Sequence, residues 1–269
     1  MNFPFYIARR YLFSKKKHNA INIISGISVC GVALATLALV CTLSVFNGFQ
    51  DMVASFFTAF DPQLKITVRE GKVFDAQDER IRAVCELPEV EVFTETLEEN
   101  AMVQYKDRQA MVVLKGVEDN FEELTAIDSI LYGAGEFVLH DSIVNYGVMG
   151  VELVATLGTG LEFVDPLQIY LPKRNAKVNM ANPGASFNRD YLYSPGVVFV
   201  VNQQEYDGKY ILTSLDFLRQ LLDYTTEVSA MELKLKSNVN TSSVQSKIEN
   251  ILGDDFVVQN RYQQQADVF

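Results

Sequence analysis

A run of thirty-two residues without a charge, Asn19 to Gln50, constrains this chain more than any other feature. Within it, Ile23 to Phe46 reads I-I-S-G-I-S-V-C-G-V-A-L-A-T-L-A-L-V-C-T-L-S-V-F. As a helix these residues are about 36 Å long, enough to cross a hydrocarbon core of about 30 Å with some tilt. The competing readings are a buried helix of a soluble fold and the apolar core of a cleaved leader. Core helices seldom run this far uncharged, and a leader's apolar core is usually about 7–15 residues. Ala33-Leu34-Ala35 resembles a cleavage triplet, yet apolar sequence continues well beyond it. The stretch reads as a retained membrane span.

Charge orients it. Arg9, Arg10, Lys15, Lys16 and Lys17 all precede the span, and no acidic residue does. Positive residues beside a span stay in the cytoplasm, so the bulk of the chain is expected on the far side. That part holds 18 basic against 34 acidic residues. Such an excess argues against nucleic acid, which needs a basic footprint, and against docking of the exported part on anionic lipid. Cys30 and Cys41 lie in the span and Cys85 stands alone outside it, which leaves no disulfide framework.

Taken in order, residues 1–20 read as a cytoplasmic interfacial helix, F-P-F-Y-I-A-R-R-Y-L-F followed by the three lysines. Its basic residues suit either a contact with a cytoplasmic partner or a plain anchor on phosphates. Residues 21–60 are expected to form one transmembrane helix and stalk. Ser28, Gly31, Ala35, Ala38 and Thr42 recur at steps of three or four and place small side chains along one stripe, where a second helix can approach. After Asn47-Gly48, the residues Phe49, Met52, Val53, Phe56, Phe57 and Phe60 repeat as one amphipathic face. The stalk is expected to stop near Asp61-Pro62.

Beyond it the pattern is α+β. Leu64–Val68 alternates as a strand, a helix capped by Asp75 is expected to run to about Leu87, and strand character resumes at Val90–Thr94. A second β-α-β unit closes the region: strand 229–235, helix Thr241–Leu252, strand 256–258. Residues 61–97 and 229–259 are thus expected to pair as a membrane-proximal layer, like ferredoxin-like halves. Residues 98–228 form an inserted distal subdomain, mostly β, and 260–269 begin a second stalk. The insertion is expected to hold a hairpin (101–105 and 109–116), a helix capped by Asp141 and running to Leu157, strands near 167–171, 197–201 and 210–213, and a helix at 215–222. Between Pro172 and Pro195 a long loop turns at Asn182-Pro183-Gly184 and carries Lys173, Arg174, Lys177 and Arg189. Loops of this length are usually functional or disordered, and the basic cluster on an acidic domain suits a partner contact.

The sequence has no phosphate-binding G-x-x-x-x-G-K-[ST], no G-x-S-x-G and no H-E-x-x-H. Two histidines, His18 and His140, form no recognisable zinc pattern, and His140 beside Asp141 reads as a cap at the surface. No catalytic residue, cofactor or metal is expected.

At this point I-A-R-R-Y-L-F-S-K-K-K at the N-terminus, I-S-G-I-S-V-C-G-V-A-L-A in the span and L-S-V-F-N-G-F-Q-D after it resemble the lipoprotein-releasing permeases of the LolC and LolE group. That group is related to the macrolide-exporter-type ABC permeases, with a MacB-like periplasmic core domain, in the FtsX-like superfamily. V-V-L-K-G-V, Tyr206-Asp207-Gly208, L-T-S-L-D-F-L-R-Q-L-L and N-R-Y-Q-Q-Q extend the resemblance over most of the chain. It implies an inner-membrane permease subunit with a two-subdomain periplasmic domain, paired with a second copy or paralogue and served by a cytoplasmic ABC ATPase. It further implies a periplasmic lipoprotein carrier as a partner of the Pro172–Pro195 loop, though these residues do not match closely. Such permeases continue beyond a second stalk, so the sequence is expected to be either an N-terminal portion or a naturally truncated form. A signal-anchored periplasmic binding or sensing module, or a cell-division-type permease regulating wall hydrolases, remain the alternatives.

Overall fold

A computed structural model describes residues 3–12, 19–54, 60–174 and 186–266. The chain divides into two bodies, Met1–Phe57 and Thr58–Phe269. The first contains α1 (Phe3–Leu12) and α2 (Asn19–Ala54). α2 is a single 36-residue helix, about 54 Å long at 1.5 Å per residue.

The second body starts with β1 (Leu64–Val68), β2 (Phe74–Asp75), α3 (Glu79–Cys85) and β3 (Val90–Tyr105). A tight turn, with Lys106 at φ +52°, leads into β4 (Arg108–Val117). Then come α4 (Phe121–Leu124), β5 (Leu131–Gly133), β6 (Val148–Met149), α5 (Val151–Leu157), β7 (Leu167–Pro172) and β8 (Phe187–Leu192). β9 (Val197–Phe199), α6 (Gln204–Asp207), β10 (Tyr210–Ser214) and α7 (Leu215–Leu222) follow. β11 (Glu227–Val228), β12 (Ala230–Leu235), α8 (Thr241–Leu252), β13 (Phe256–Asn260) and α9 (Arg261–Ala266) complete it.

Nine strands share one sheet, ordered β13-β1-β12-β3-β4-β10-β6, with β7 on β3 and β8 on β7. The first four strands in that order are each antiparallel to their neighbours. With α3 between β1 and β3, and α8 between β12 and β13, this is the ferredoxin-like order, opened by an insertion after its second strand. β3 joins the two regions: its first half pairs with β12, its second with β4 and β7.

Period-two alternation explains the packing of the first four strands. Leu64, Ile66, Met231 and Leu233 point to one face and pack against Ile81, Val84, Val244 and Ile248 of α3 and α8. A second core gathers Val112, Leu114 and Ile211 of the sheet with Leu153 and Leu157 of α5 and Leu218 of α7. A third collects Phe60, Val117, Phe121, Val148, Phe199 and Leu212. Two of the helices have local start signals. Asn240 accepts a hydrogen bond from the Ser243 amide at 3.2 Å, and Ser214 accepts one from the Phe217 amide at 3.2 Å. Asn240→Ala is expected to cost about 1 kcal/mol, read as a lower midpoint in urea unfolding.

Three expectations need correction. α3 begins at Glu79 and is capped by Asp78, whose Oδ1 accepts the Arg80 amide at 2.8 Å. Asp75 instead lies in β2 opposite Glu227, a pairing from a distant part of the chain. Asp141 caps no helix: its Oδ1 accepts the Ile143 and Val144 amides at 2.7 and 2.8 Å, closing a turn, and α5 starts only after Gly150. The loop after Pro172 is shorter than expected, because Phe187–Leu192 is a strand paired with β7.

Candidate functional site

In α2 the segment Ile23–Gly48 has a mean hydropathy of 2.4, and none of its most apolar window is buried. A core helix of a soluble protein would be covered, so this exposure speaks for a lipid-facing or partner-facing helix. Ser28, Gly31, Ala35, Ala38 and Thr42 are all exposed. A methyl group added at Gly31 would meet nothing within 4 Å. Thr42 and Thr36 donate their hydroxyls to the carbonyls of Ala38 and Val32, each at 2.8 Å, which satisfies these groups inside an apolar surrounding. Asn47, Gly48, Phe49, Met52 and Val53 continue the same helix. Phe56 and Phe57 lie outside the described residues. Phe60 is not on this helix; it is a buried residue of the second body.

Arg9 and Arg10 fall on α1, with Arg10 exposed; Lys15, Lys16 and Lys17 lie outside the described residues. The basic loop is brought together only in part. Lys173 continues the β7–β8 pairing through its amide to the Ser186 carbonyl. Arg174 turns back on its own body, with its guanidinium 5.0 Å from the Tyr224 ring centre and 4.0 Å from Glu227. Arg189 is exposed on β8, opposite Tyr170. Lys177, Pro183 and Gly184 lie outside the described residues. His140 pairs with Asp119 at 3.0 Å at the rim of an open cleft of about 340 Å³. Among the described residues, no three histidine, cysteine or acidic side chains converge as a metal site.

A feature not foreseen from the sequence lies across the sheet. Lys65 of β1 faces Glu232 of β12, and Glu98 of β3 faces Lys115 of β4. The Lys115 ammonium sits 2.5 Å from Glu232 and 3.3 Å from Glu98, and Lys65 is 3.5 Å from Glu98. Lys115 is 3% exposed and Glu232 fully buried. Thr96 donates to Glu232 at 3.4 Å, and the Tyr210 hydroxyl to Glu98 at 3.4 Å. Two cations and two carboxylates thus form a neutral seam spanning four strands.

Electrostatics couples these groups. Burial alone would raise the Glu98 carboxyl, but Lys65 and Lys115 overcome it and hold it at about 2. Burial alone would lower Lys115, yet Glu232 and Glu98 hold it well above the usual lysine range. Such a seam is costly to bury, so its attraction is largely offset by the hydration that its charges lose. The lone charges in V-V-L-K-G-V and M-E-L-K-L are its only sequence signal.

Where the second body begins, Phe60 is 3% exposed. Its ring lies 4.8 Å from Phe199, 5.1 Å from Tyr206 and 6.2 Å from Tyr210. The Tyr206 hydroxyl donates to Asp61 at 3.2 Å. From the other end of the body, Arg261 donates to the Asp61 carbonyl at 2.9 Å and Gln264 to the Pro62 carbonyl at 3.2 Å.

Comparison with known proteins adds the family. The lipoprotein-releasing system transmembrane protein LolE of Haemophilus influenzae is 24% identical over 243 residues, 87% of this chain and 55% of that protein. LolC of Xylella fastidiosa is 21% identical over 266 residues, 98% of this chain and 61% of that protein. This chain therefore spans somewhat over half the length of these relatives. The crystal structure of the periplasmic region of MacB from Actinobacillus actinomycetemcomitans covers 76% of this chain and 91% of its own, at 10% identity and a TM-score of 0.49. Residues 25–251 match the MacB-like periplasmic core domain, a match over most of the sequence that takes in part of the apolar helix and nearly all of the sheet, and the chain belongs to that family.

Proposed function

We propose that this chain is a permease subunit of an ABC transporter, carrying motion from a cytoplasmic ATPase through α2 to the globular body. The observation that carries the reading is the single helix Asn19–Ala54, whose uncovered apolar segment runs on without a break past Phe46. About 20 residues suffice to cross a bilayer, so the helix exceeds what an anchor needs. Family membership supports the same reading. Arg9, Arg10 and the three lysines support an N-terminus in the cytoplasm and a body in the periplasm of an inner membrane. Residues 61–97 with 229–259 act as the membrane-proximal layer and 98–228 as the distal insertion. The stripe from Ser28 to Thr42 receives a helix of a second copy or paralogue. The substrate is a lipoprotein or another membrane-embedded molecule handed over outside the membrane, with a periplasmic carrier received near Arg189.

Inserting a flexible Gly-Ser segment after Gly48 of the intact permease, reconstituted with its ATPase, tests the coupling. Substrate transfer is expected to fall at least about tenfold while ATP hydrolysis continues, because a broken helix no longer transmits displacement. Undiminished transfer sinks the proposal.

A further inference from the structure

On one side the sheet ends at β13, and side-chain amides cover the outer edge of this strand. The Arg69 amide donates to the Asp255 carbonyl at 2.8 Å. In an alternating ladder, Val257 and Gln259 then turn their backbone groups toward β1, and Phe256, Val258 and Asn260 turn theirs outward. Gln245 of α8, only 7% exposed, donates from Nε2 to the Val258 carbonyl at 2.9 Å and accepts from Asn260 Nδ2 at 3.0 Å. Gln263 Oε1 accepts the Asn260 backbone amide at 3.0 Å, and Asn260 Oδ1 accepts the Gln263 backbone amide at 3.1 Å. This reciprocal capping box starts α9.

Polar groups fasten α9 to the body. It has six residues, too few for a helix to persist unsupported. Arg261 to Gln264 are half-buried or exposed, and none of the four belongs to an apolar core. The fastenings are Arg261 on the Asp61 carbonyl, Gln264 on the Pro62 and Gln259 carbonyls, and Gln263 on Gln245. Each such bond is worth little once water can replace it. One of them is also contested. Gln245 Nε2 lies 2.9 Å from the Val258 carbonyl, 2.9 Å from Gln263 Oε1 and 3.2 Å from Glu249 Oε1, yet an amide nitrogen carries only two hydrogens. Glu249, one turn along α8, thus competes with Gln263 for the second.

We propose that α9 is a releasable strap with Gln245 as its latch. When Gln245 turns its second hydrogen to Glu249, α9 detaches as a unit while the sheet and α8 stay folded. Release frees the Asp61 and Pro62 carbonyls, where the chain enters the body, and the Asn260 amide on the outer edge of β13. Entry and exit of the body therefore loosen together. The strap lies wholly within the second body and does not depend on the transporter reading.

Hydrogen–deuterium exchange on the purified chain in detergent micelles, as wild type, Gln245→Leu and Glu249→Ala, tests it. In wild type the backbone amides of 263–266 are expected to exchange at least about tenfold faster than those of β1 and α8. Gln245→Leu keeps the bulk and removes the latch; it is expected to speed 260 and 263–266 by a further factor of about ten, with β1 and α8 unchanged. Glu249→Ala removes the competitor and is expected to slow the same amides about twofold to threefold. Acceleration in Gln245→Leu that spreads equally to β1 and α8 overturns the proposal, because the strap then has no opening of its own. So does α9 exchange in Glu249→Ala that matches or exceeds wild type, because the contested hydrogen then decides nothing.

Discussion

Lys115→Ala is expected to lower the free energy of unfolding by about 3–5 kcal/mol, the usual cost of removing one partner of a buried ion pair. Most of that cost comes from the carboxylate left unpaired, and less from the attraction removed. Glu232 is fully buried, its Oε1 would keep only Thr96, and its Oε2 already lacks a partner among the described residues. Replacing the pair together, Lys115→Met with Glu232→Leu, is expected to cost far less, because no uncompensated charge remains and Glu98 keeps Lys65. Glu232→Leu alone should resemble Lys115→Ala, since it leaves a buried ammonium with only the 3.3 Å contact to Glu98. Urea unfolding of wild type, Lys115→Met, Glu232→Leu and the double variant, followed by circular dichroism, measures all four corners of the cycle; the protein has no tryptophan to report instead. A coupling of about 2 kcal/mol or more between the sites is expected. Costs that simply add would show that the two charges do not depend on each other.

The seam also marks where sequence reading stops. α7 and α8 are legible to the residue, because Ser214 and Asn240 are strong caps and the apolar spacing after each has one helical reading. The strands of the outer β-α-β units are legible from their period-two alternation. Alternation in M-E-L-K-L shows which side chains share a face, but it suggests that the second face is wet. Here that face is covered by the core around Phe60, so Glu232 is buried where alternation alone implies a solvated charge. β8 is hidden for the opposite reason. Phe187, Arg189 and Tyr191 are exposed, and a polar strand on a wet face resembles a loop. The choice between Asp75 and Asp78 cannot be made locally either, since both are competent caps. Pairing of Phe74–Asp75 with Glu227–Val228 decides it, and that partner is far off in sequence. Phe60 fits the helical repeat of the stalk by spacing alone, yet rings from β9, α6 and β10 claim it. The membrane helix is the easiest element to read, since length and lack of charge suffice.

Glu98→Gln is expected to remove a large part of the acid sensitivity of the globular body. The Glu98 carboxyl has an ordinary value of 4.5 and is held at about 2 in the folded state. A depressed carboxylate adds stability that is fully present above the unfolded value and is lost as pH falls through the folded one. The contribution therefore holds above about pH 5 and has gone by about pH 2. With the side chain 22% exposed, it amounts to about 2–3 kcal/mol after allowance for partial screening. Lys115, held well above the usual lysine range by Glu232 and Glu98, stays charged throughout this window, so the loss follows the carboxylate. Asp78 and Asp141 are also held below their usual range, by Arg80 and by backbone amides respectively, and they tilt the curves of both proteins alike. The informative quantity is the difference between wild type and variant, measured by urea unfolding from pH 7 to pH 2. It should be largest at neutral pH and shrink toward zero near pH 2. A gap that stays constant across the range would mean that the introduced amide costs stability through its shape and hydrogen bonds, and that the charge of Glu98 does not hold the seam together.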